Sequence, residues 1–332
     1  MKTFAYLSAL DVDTALRAIT SEPRAKFLAG GTNLVDLMRE GIERPETVVD
    51  ITRLPLDTIE ELAHGGLRIG AMVRNSRLAA HPLIRTRYPV LSQALLHGAS
   101  GQLRNMATVG GNLMQRTRCL YFYDESSACN KREPGAGCAA LEGINRGNAV
   151  LGTSDHCVAT HPSDMAVALV ALDATVEVRS ARSTRHIPLT DFHRLPGATP
   201  HLETELHADD LITAVELPAL PVAAYSRFRK VRDRASYAFA LVAVAAAMEV
   251  QKDGNISAVR LALGGIATKP WRAYEAERVL LGAAATEETF RRAAVAELAS
   301  ATGLPGNRFK IDLARRTIVA VLRQLLTDGS AA

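Results

Sequence analysis

The sequence contains no apolar run long enough to cross a membrane. The longest such run, at about residues 238–250, is rich in alanine and falls well short of the roughly 20 residues that a transmembrane helix needs. The first residues, Met1 to Tyr6, open no apolar signal region and contain no twin arginine. We therefore expect a chain with no membrane span and no export signal of its own.

Dense charge of one sign is also missing. The formal net charge is only +4 over 332 residues, and no basic run is dense enough to indicate nucleic acid as a partner. A hydrophobic content of 48% is sufficient for a large core and for two domains or more. Composition therefore indicates a globular protein, and its function has to be inferred from the sequence motifs.

Cysteine is absent everywhere except in one segment, which holds Cys119, Cys129, Cys138 and Cys157. Disulfides of a secreted fold are usually distributed along the chain, so this clustering does not resemble them. The spacing fits neither the paired C-x2-C of zinc ribbons nor the compact ferredoxin run. A long loop without a core of its own would be ordered by a metal centre. The residues alone leave open an iron–sulfur cluster, a structural zinc ion, and disulfides or free thiols.

Basic and aromatic residues accompany the cysteines. Four thiolates on an iron–sulfur core leave net negative charge, and nearby cations could offset it; these are Arg116, Arg118, Lys131 and Arg132. The run from Tyr121 to Tyr123 could shield a cluster from solvent, or could equally form a local hydrophobic plug under the loop. His156 and His161 are interpreted as surface or hydrogen-bonded histidines, because cysteine already supplies four ligands.

A glycine pair follows a predicted strand at residues 26–29 and precedes a predicted helix at residues 34–39. Gly30 and Gly31 leave no Cβ between the backbone and a phosphate, and a helix start presents N–H groups to an anion. Thr32 and Asn33 add side-chain donors. The pattern is not G-x-G-x-x-G, so it does not predict a Rossmann fold. A plain strand–turn–helix joint remains the alternative for this segment alone.

Strands and helices alternate along the chain. Short elements over residues 1 to about 115 predict an α+β or α/β domain. A proline-containing linker at about residues 218–223 leads to a second domain. That domain is predicted to have three strands, at 225–231, 241–250 and 256–263, followed by helices at 272–281, 287–299 and 309–326.

The two glycine segments together carry a specific resemblance. The first, residues 29–34, reads Ala-Gly-Gly-Thr-Asn-Leu, and the second, residues 107–113, reads Ala-Thr-Val-Gly-Gly-Asn-Leu. With Ser163 and Asp164, they resemble the FAD-binding subunits of the xanthine dehydrogenase/molybdenum hydroxylase family. The resemblance covers nearly the whole chain and is weakest after about Ala273.

This resemblance implies the fold and its division into domains. The fold class is α+β, with a PCMH (vanillyl-alcohol-oxidase type) FAD-binding fold in two α/β subdomains at residues 1–220. A C-terminal domain of a three-stranded sheet with helices, like that of the CO dehydrogenase flavoprotein, occupies residues 221–332.

The resemblance also implies how FAD is bound. In the family, two glycine turns hold the pyrophosphate from both sides, and no residue of this chain is assigned a catalytic role. Ser163 is a good helix N-cap, so Asp164 could also be a helix-start acid without a ligand. The implied FAD-binding residues are Lys26, Phe27, Leu28, Ala29, Gly30, Gly31, Thr32, Asn33, Leu34, Gly101, Thr108, Gly111, Asn112, Asp164, Ile212 and Lys230.

One departure from the family pattern involves the cysteines. In the family, a Ser-Asp pair follows the second glycine turn after only a few residues. In this sequence, an insertion at about residues 115–158 separates the turn from Ser163 and Asp164. This insertion resembles the branch of aldehyde oxidoreductases whose FAD subunit carries a [4Fe–4S] cluster. The resemblance therefore implies that the four cysteines are the ligands of such a cluster.

The implied function is electron transfer within a heteromeric complex. A flavin exchanges one or two electrons, whereas this sequence has no molybdenum-cofactor domain and no C-x4-C-x2-C run for a 2Fe-2S cluster. The resemblance implies partner subunits that carry these two groups, an aldehyde substrate oxidised elsewhere in the complex, and an external electron acceptor. It also implies a periplasmic location by co-export with a signal-bearing partner; otherwise the chain is cytoplasmic.

Two alternatives remain open. A stand-alone FAD-dependent reductase of the same fold would need its own acid and substrate pocket, which the sequence does not show. A non-catalytic assembly module would use the four cysteines to hold zinc.

Overall fold

The computed structural model describes residues 1–329. Its first subdomain is a small parallel sheet with two helices, in the strand order β1-β3-β2. The strands are β1 (Ala5–Ser8), β2 (Ala25–Leu28) and β3 (Thr47–Asp50), and the helices are α1 (Val12–Ser21) and α2 (Leu34–Arg39). Asp11 caps α1 by accepting a hydrogen bond from Thr14 N at 2.7 Å. Because β2 runs directly into Gly30 and Gly31, the start of α2 lies at the carboxyl end of that strand.

The second subdomain is an antiparallel five-stranded sheet covered by helices, in the order β4-β5-β8-β6-β7. Its strands are β4 (Ile59–Glu61), β5 (Leu67–Gly70), β6 (Thr175–Arg179), β7 (Thr184–Pro188) and β8 (Leu211–Leu217). Its helices are α3 (Asn75–Ala80), α4 (Pro82–Arg87), α5 (Pro89–His97), α6 (Gly101–Met106), α7 (Val109–Leu113), α9 (Asp164–Ala171) and α10 (Leu189–Phe192). The short helix α8 (Leu120–Tyr123) lies in the segment between α7 and α9. Every residue of α9 is buried, as expected for a helix that is apolar on all sides.

The C-terminal domain is an antiparallel sheet packed against three helices, in the order β12-β11-β10-β9. Its elements are β9 (Ser226–Val231), β10 (Val242–Val250), β11 (Ile256–Gly264), β12 (Trp271–Arg272), α11 (Tyr274–Leu280), α12 (Glu287–Glu297) and α13 (Phe309–Gly329). The three predicted strands are present, and β12 adds a short fourth strand. The predicted helix at 272–281 was wrong at its start, because Arg272 pairs with Ala262 of β11 and its buried guanidinium bonds Asp173 and Glu277.

Strand β10 is buried on both faces. Ala243 and Ala245 belong to the core that contains α9, while Val244 and Ala246 belong to the core formed with α11, α12 and α13. The approach of α9 is close, since a Cβ built on Gly264 would lie 2.4 Å from Val167 Cγ2. Small residues in this sheet therefore let the C-terminal domain share a core with the second subdomain.

Residues 114–163 form a long, mostly irregular segment between α7 and α9, which we call the cysteine loop. It contains the short helix α8 and isolated bridges, including one between Cys129 and Cys138. Within residues 1–329, no helix combines the length and apolar character needed to span a membrane.

Candidate functional site

The two glycine turns are in contact in the structure. A Cβ built on Gly30 would lie 1.9 Å from Met106 O, and one built on Gly111 would lie 3.9 Å from the Cβ of Ala29. A side chain at Gly30 would therefore overlap the main chain that leads into the second turn. The fold joins two segments that are far apart in sequence, as the resemblance implied.

The first turn presents a row of unpaired donors. Gly31 has a φ of +74°, a left-handed conformation that glycine adopts without strain. In the described part of the chain, the backbone N–H groups of residues 30–34 have no hydrogen-bond acceptor. Buried Asn33 Nδ2 also lacks a partner. Unpaired donors at a helix start fit an anionic group, so this turn fits the pyrophosphate of FAD.

The second turn is fixed from three sides. Thr108 Oγ1 accepts from Gly111 N at 3.2 Å and caps α7. Gly110 N donates to Ala71 O at 2.9 Å, which anchors the turn next to β5. Ser163 Oγ donates to Asn112 Oδ1 at 2.6 Å. The last contact brings the end of the cysteine loop back to its beginning. The loop is therefore an insertion between two segments that lie side by side in the structure.

Asp164 and Lys230 form a buried ion pair. Asp164 Oδ2 lies 2.7 Å from Lys230 Nζ, and the two side chains are only 9% and 2% exposed. Burial raises the pKa of Asp164, while Lys230 acts to lower it. Lys230 Nζ also donates to His97 O at 3.3 Å. The resemblance assigned both residues to the flavin separately, whereas the structure joins them to each other; their contact with FAD stays a prediction.

The remaining predicted FAD residues lie around these turns or on adjacent elements. Phe27 and Leu28 are on β2, directly before the first turn. Ile212 is buried in β8, next to Thr213, whose carbonyl accepts from Ala71 N at 2.9 Å. Lys26 is exposed, with Nζ 3.8 Å from Glu43 Oε2. Gly101 is the first residue of α6.

All four cysteine side chains line one small cavity in the cysteine loop. They are free thiols, so none is paired in a disulfide. Burial raises the pKa of Cys119, and raises that of Cys157 to about 11. Thiolates are the forms that bind metal. A bound cation would therefore supply the stabilisation that these buried thiolates lack.

The spacing of the sulfurs bears on the kind of metal centre. Zinc bound by four cysteines holds its sulfurs roughly 4 Å apart, because each Zn–S bond is about 2.3 Å. Within residues 1–329, only His207, Asp209 and Asp210 bring three metal-ligand atoms of His, Cys, Asp or Glu within 4.8 Å of one another. No three of the cysteine sulfurs in this part of the chain are that close together, so they do not form the compact four-sulfur set of a zinc site.

Three of the four basic residues predicted to offset the charge of a cluster, Arg116, Arg118 and Lys131, are paired with carboxylates, whereas Arg132 bonds backbone carbonyls. Arg116 bonds Glu43 at 2.6 Å and Glu203 at 2.5 Å, and Lys131 bonds Glu203 at 2.8 Å. Arg118 pairs with Asp36 at 2.9 Å. The interpretation of these cations as a simple counter-charge for the cluster therefore needs correction, because much of their charge is already compensated.

Arg116 also joins the cysteine loop to the flavin turn. Its backbone N donates to Asn33 Oδ1 at 2.9 Å, and its guanidinium lies 4.6 Å from the ring centroid of Phe122. Phe122 is fully buried, whereas Tyr121 is only partly buried. Arg132 donates to the carbonyls of Tyr121 and Phe122 at 2.7 and 3.0 Å. Tyr121 and Phe122 line the cysteine cavity and are held by these arginines.

A pair of histidines lies beside the second glycine turn. The ring centroids of His161 and His193 are 4.4 Å apart, and His193 Nε2 lies 3.0 Å from Leu113 O. Ser163 N donates to His161 Nδ1 at 3.3 Å, whereas His156 is exposed. Burial lowers the pKa of His161, and lowers that of His193 to about 4. No sequence motif marks His193 as a neighbour of this turn, because it lies in an irregular segment far away in sequence.

Two family matches together cover most of the chain. Residues 2–220 match the FAD binding domain in molybdopterin dehydrogenase. Residues 226–324 match the CO dehydrogenase flavoprotein C-terminal domain.

The chain is also similar to individual proteins. It is 53% identical to the aldehyde oxidoreductase FAD-binding subunit PaoB of Escherichia coli strain K12, over 98% of both chains. It is 25% identical to the glyceraldehyde dehydrogenase medium chain of Sulfolobus acidocaldarius, over 96% of this chain and 95% of that one. Among solved structures, carbon monoxide dehydrogenase from Hydrogenophaga pseudoflava has a chain with a TM-score of 0.75, 25% identity and 98% coverage of both chains. Quinoline 2-oxidoreductase from Pseudomonas putida 86 has the same fold, with a TM-score of 0.76, 24% identity and 99% coverage of both chains.

Proposed function

The chain belongs to the FAD-binding subunits of the molybdenum hydroxylase family, whose complexes are oxidoreductases, and from that premise we propose that it is the electron-transfer subunit of an aldehyde-oxidising complex. In this proposal it carries FAD and a [4Fe–4S] cluster. It receives electrons from partner subunits that hold the molybdenum cofactor and a 2Fe-2S cluster, and passes them to an external acceptor. The similarity to an aldehyde oxidoreductase subunit supports the choice of substrate class.

FAD would be held where the two glycine turns meet. The unpaired N–H groups of residues 30–34 and Asn33 Nδ2 would donate to the pyrophosphate. Gly30 keeps the turns in contact, and the Ser163–Asn112 hydrogen bond keeps the second turn closed. When bound, the flavin supplies one- and two-electron chemistry.

The observation that carries the cluster proposal is the convergence of all four cysteine side chains on one cavity. Cys129 and Cys138 are brought side by side by a backbone bridge. Cys157 follows a tight turn in which Ser154 N and Cys157 N bond the carbonyl of the other residue. These local structures bring the cysteines together, and ligation of a metal centre would stabilise that arrangement.

The proposed transfer role is supported by the adjacency of the two sites. Arg116 lies three residues before Cys119, and its backbone N bonds Asn33 of the first glycine turn. The cysteine loop also begins directly after the second turn and ends at Ser163, which bonds Asn112. The same short segments therefore hold both proposed redox centres. We also propose that the FAD-binding domain ends at residue 220 and that the C-terminal domain begins at residue 221, as the resemblance implied.

The test is anaerobic spectroscopy of the chain copurified with its partner subunits. Addition of an aromatic aldehyde should bleach the flavin absorption and produce the electron paramagnetic resonance signal of a reduced cluster. The chain isolated from its partners should not be reduced by the aldehyde. Reduction of the isolated chain by a substrate of its own would instead support a stand-alone reductase.

The proposed location is tested by fractionation. We propose that the folded chain is exported with a signal-bearing partner subunit. The chain produced alone should then remain in the cytoplasm, and coexpression with the partners should move it to the periplasm. Periplasmic recovery of the chain without partners would contradict this route.

A further inference from the structure

We propose that Asn148 donates a hydrogen bond to the cluster ligand Cys119 and thereby raises the reduction potential of the cluster. Two residues of the C-terminal domain, Lys310 in the first turn of α13 and Asn307 in the turn that precedes this helix, position Asn148. The inference rests on the proposed [4Fe–4S] cluster. It assigns to the C-terminal domain a role in tuning a redox centre that lies in the FAD-binding part of the chain.

The contact to sulfur is made by a buried amide. Asn148 Nδ2 lies 3.7 Å from Cys119 Sγ, and Asn148 is 6% exposed. A second donor, Ala159 N, lies 3.5 Å from Cys157 Sγ. Of these two donors, only Asn148 is a side chain, so only this hydrogen bond is removed by a simple substitution.

Asn148 is held by residues at and just before the start of α13. Its carbonyl accepts from Lys310 Nζ at 2.8 Å and from Asn307 Nδ2 at 3.2 Å. Its N–H donates to Asn145 O at 2.9 Å. The main chain of Asn148 is thus fixed on both sides, and its side chain is directed to the sulfur.

Lys310 is an unusual residue in this position. Its side chain is completely buried, although lysine is almost never fully buried unless it is paired. Its three acceptors are backbone carbonyls, namely Asn148 O, Gly147 O at 3.1 Å and Gly265 O at 2.5 Å. Two of them lie in the cysteine loop and the third directly follows strand β11, so the lysine ties the loop to the C-terminal domain.

Hydrogen bonds to cluster sulfurs change the reduction potential in a known direction. The reduced cluster is the more negative state, so a donor to a thiolate ligand stabilises it and raises the potential. Removing the donor should shift the potential to a more negative value. A purely structural role of Asn148 predicts a loss of stability without this shift.

The experiment uses the full complex with its flavin. Iron and acid-labile sulfide are measured first, and the cluster is then titrated by electron paramagnetic resonance at controlled potential. Asn148→Leu should keep the wild-type iron content and shift the cluster potential negatively, with the flavin potential unchanged. Lys310→Met should shift the cluster potential in the same direction, because it frees the backbone of Asn148.

The matched control is Asn130→Leu in the same loop. Asn130 is equally buried, at 6% exposed, but its side chain bonds His156 O and Gly137 N rather than a sulfur. This variant should leave the cluster potential at the wild-type value.

Each outcome decides a different claim. Wild-type complex without iron would overturn the proposed cluster itself. With iron present, an unshifted potential in Asn148→Leu, or an equal shift in Asn130→Leu, would overturn the role of Asn148. If Asn148→Leu loses iron, Asn148→Ala is titrated instead, because it removes the donor without added bulk. Loss of iron in both variants would show that Asn148 is needed to retain the cluster, and would overturn its role in setting the potential.

Discussion

The carboxylate of Asp164 and the ammonium of Lys230 lie 2.7 Å apart and join helix α9 to the first strand of the C-terminal sheet. Both side chains are almost completely buried. Asp164 also directly follows Ser163, which bonds the second glycine turn. The ion pair therefore connects the flavin turn to the C-terminal domain.

Breaking this pair should destabilise the protein. Asp164→Asn or Lys230→Met leaves one charge buried without its partner, which costs about 3–5 kcal/mol. The midpoint of thermal unfolding should fall in each single variant. The double variant should lose less than the sum of the two, because no unpaired charge remains. Additive losses in this double-mutant cycle would contradict the pairing.

Replacement of Gly30 should release FAD. In Gly30→Ala the new Cβ would lie 1.9 Å from Met106 O, so the two turns must separate. We expect the FAD content of the purified chain to fall at least several-fold, as measured by absorbance after gel filtration. The control is Gly147→Ala, where a Cβ meets no atom within 4 Å. Full FAD occupancy in a folded Gly30→Ala protein would rule out this arrangement of the turns.

Gly111→Val tests the second turn in the same assay. A Cβ at this position would already lie 3.0 Å from Thr108 Oγ1, and the branched side chain would reach the space where the phosphate should approach. FAD content should fall while the fold is kept. A variant that binds FAD as tightly as the wild type would show that the pyrophosphate lies elsewhere.

The burial of His193 predicts a loss of stability in acid. The pKa of His193 is about 4 in the folded protein and about 6.5 in an unfolded chain. The unfolded chain therefore binds a proton that the folded one does not, and stability falls as the pH drops from about 6.5 towards 4. The contribution is on the order of 3 kcal/mol.

Substitution separates this histidine from other acid-sensitive groups. His193→Asn should flatten the dependence of the unfolding midpoint on pH over this window. The same change at His201, an exposed side chain, should leave the dependence unaltered. Identical pH profiles for His193→Asn and the wild type would contradict the prediction.

The network around Arg116 should control the order of the cysteine loop. Arg116→Gln removes both ion pairs and leaves Glu43 and Glu203 without this partner, while its backbone bond to Asn33 is unaffected. We expect faster proteolysis within residues 115–158. Arg44→Gln, which removes an exposed ion pair with Glu125, serves as the control and should be cleaved at the wild-type rate.

The sequence was sufficient for the features that depend on local chemistry. Gly31 needs a left-handed backbone, Ser163 caps α9, and the confinement of the cysteines to one segment indicated a loop organised around them. The strand predicted at 241–250 was also correct, since the structure has β10 at Val242–Val250; small apolar residues suit a strand that is buried on both faces.

The features that the sequence did not reveal depend on contacts between distant segments. Nothing local to Lys230 indicates that β9 passes beside α9, where its charge meets Asp164. His193 comes next to His161 only because its segment folds back to Leu113. Arg272 was predicted as the first residue of a helix, whereas pairing with β11 and the ion pairs of its side chain place it in strand β12.

The central claim is that a FAD-binding subunit holds a [4Fe–4S] cluster on Cys119, Cys129, Cys138 and Cys157. The most direct test is to measure iron, acid-labile sulfide, zinc and FAD per chain in anaerobically isolated wild-type protein and in Cys138→Ser. We expect about four irons with matching sulfide and one FAD in the wild type, and a loss of iron and sulfide in the variant. One zinc per chain with no iron, or an iron content that Cys138→Ser leaves unchanged, would contradict the claim.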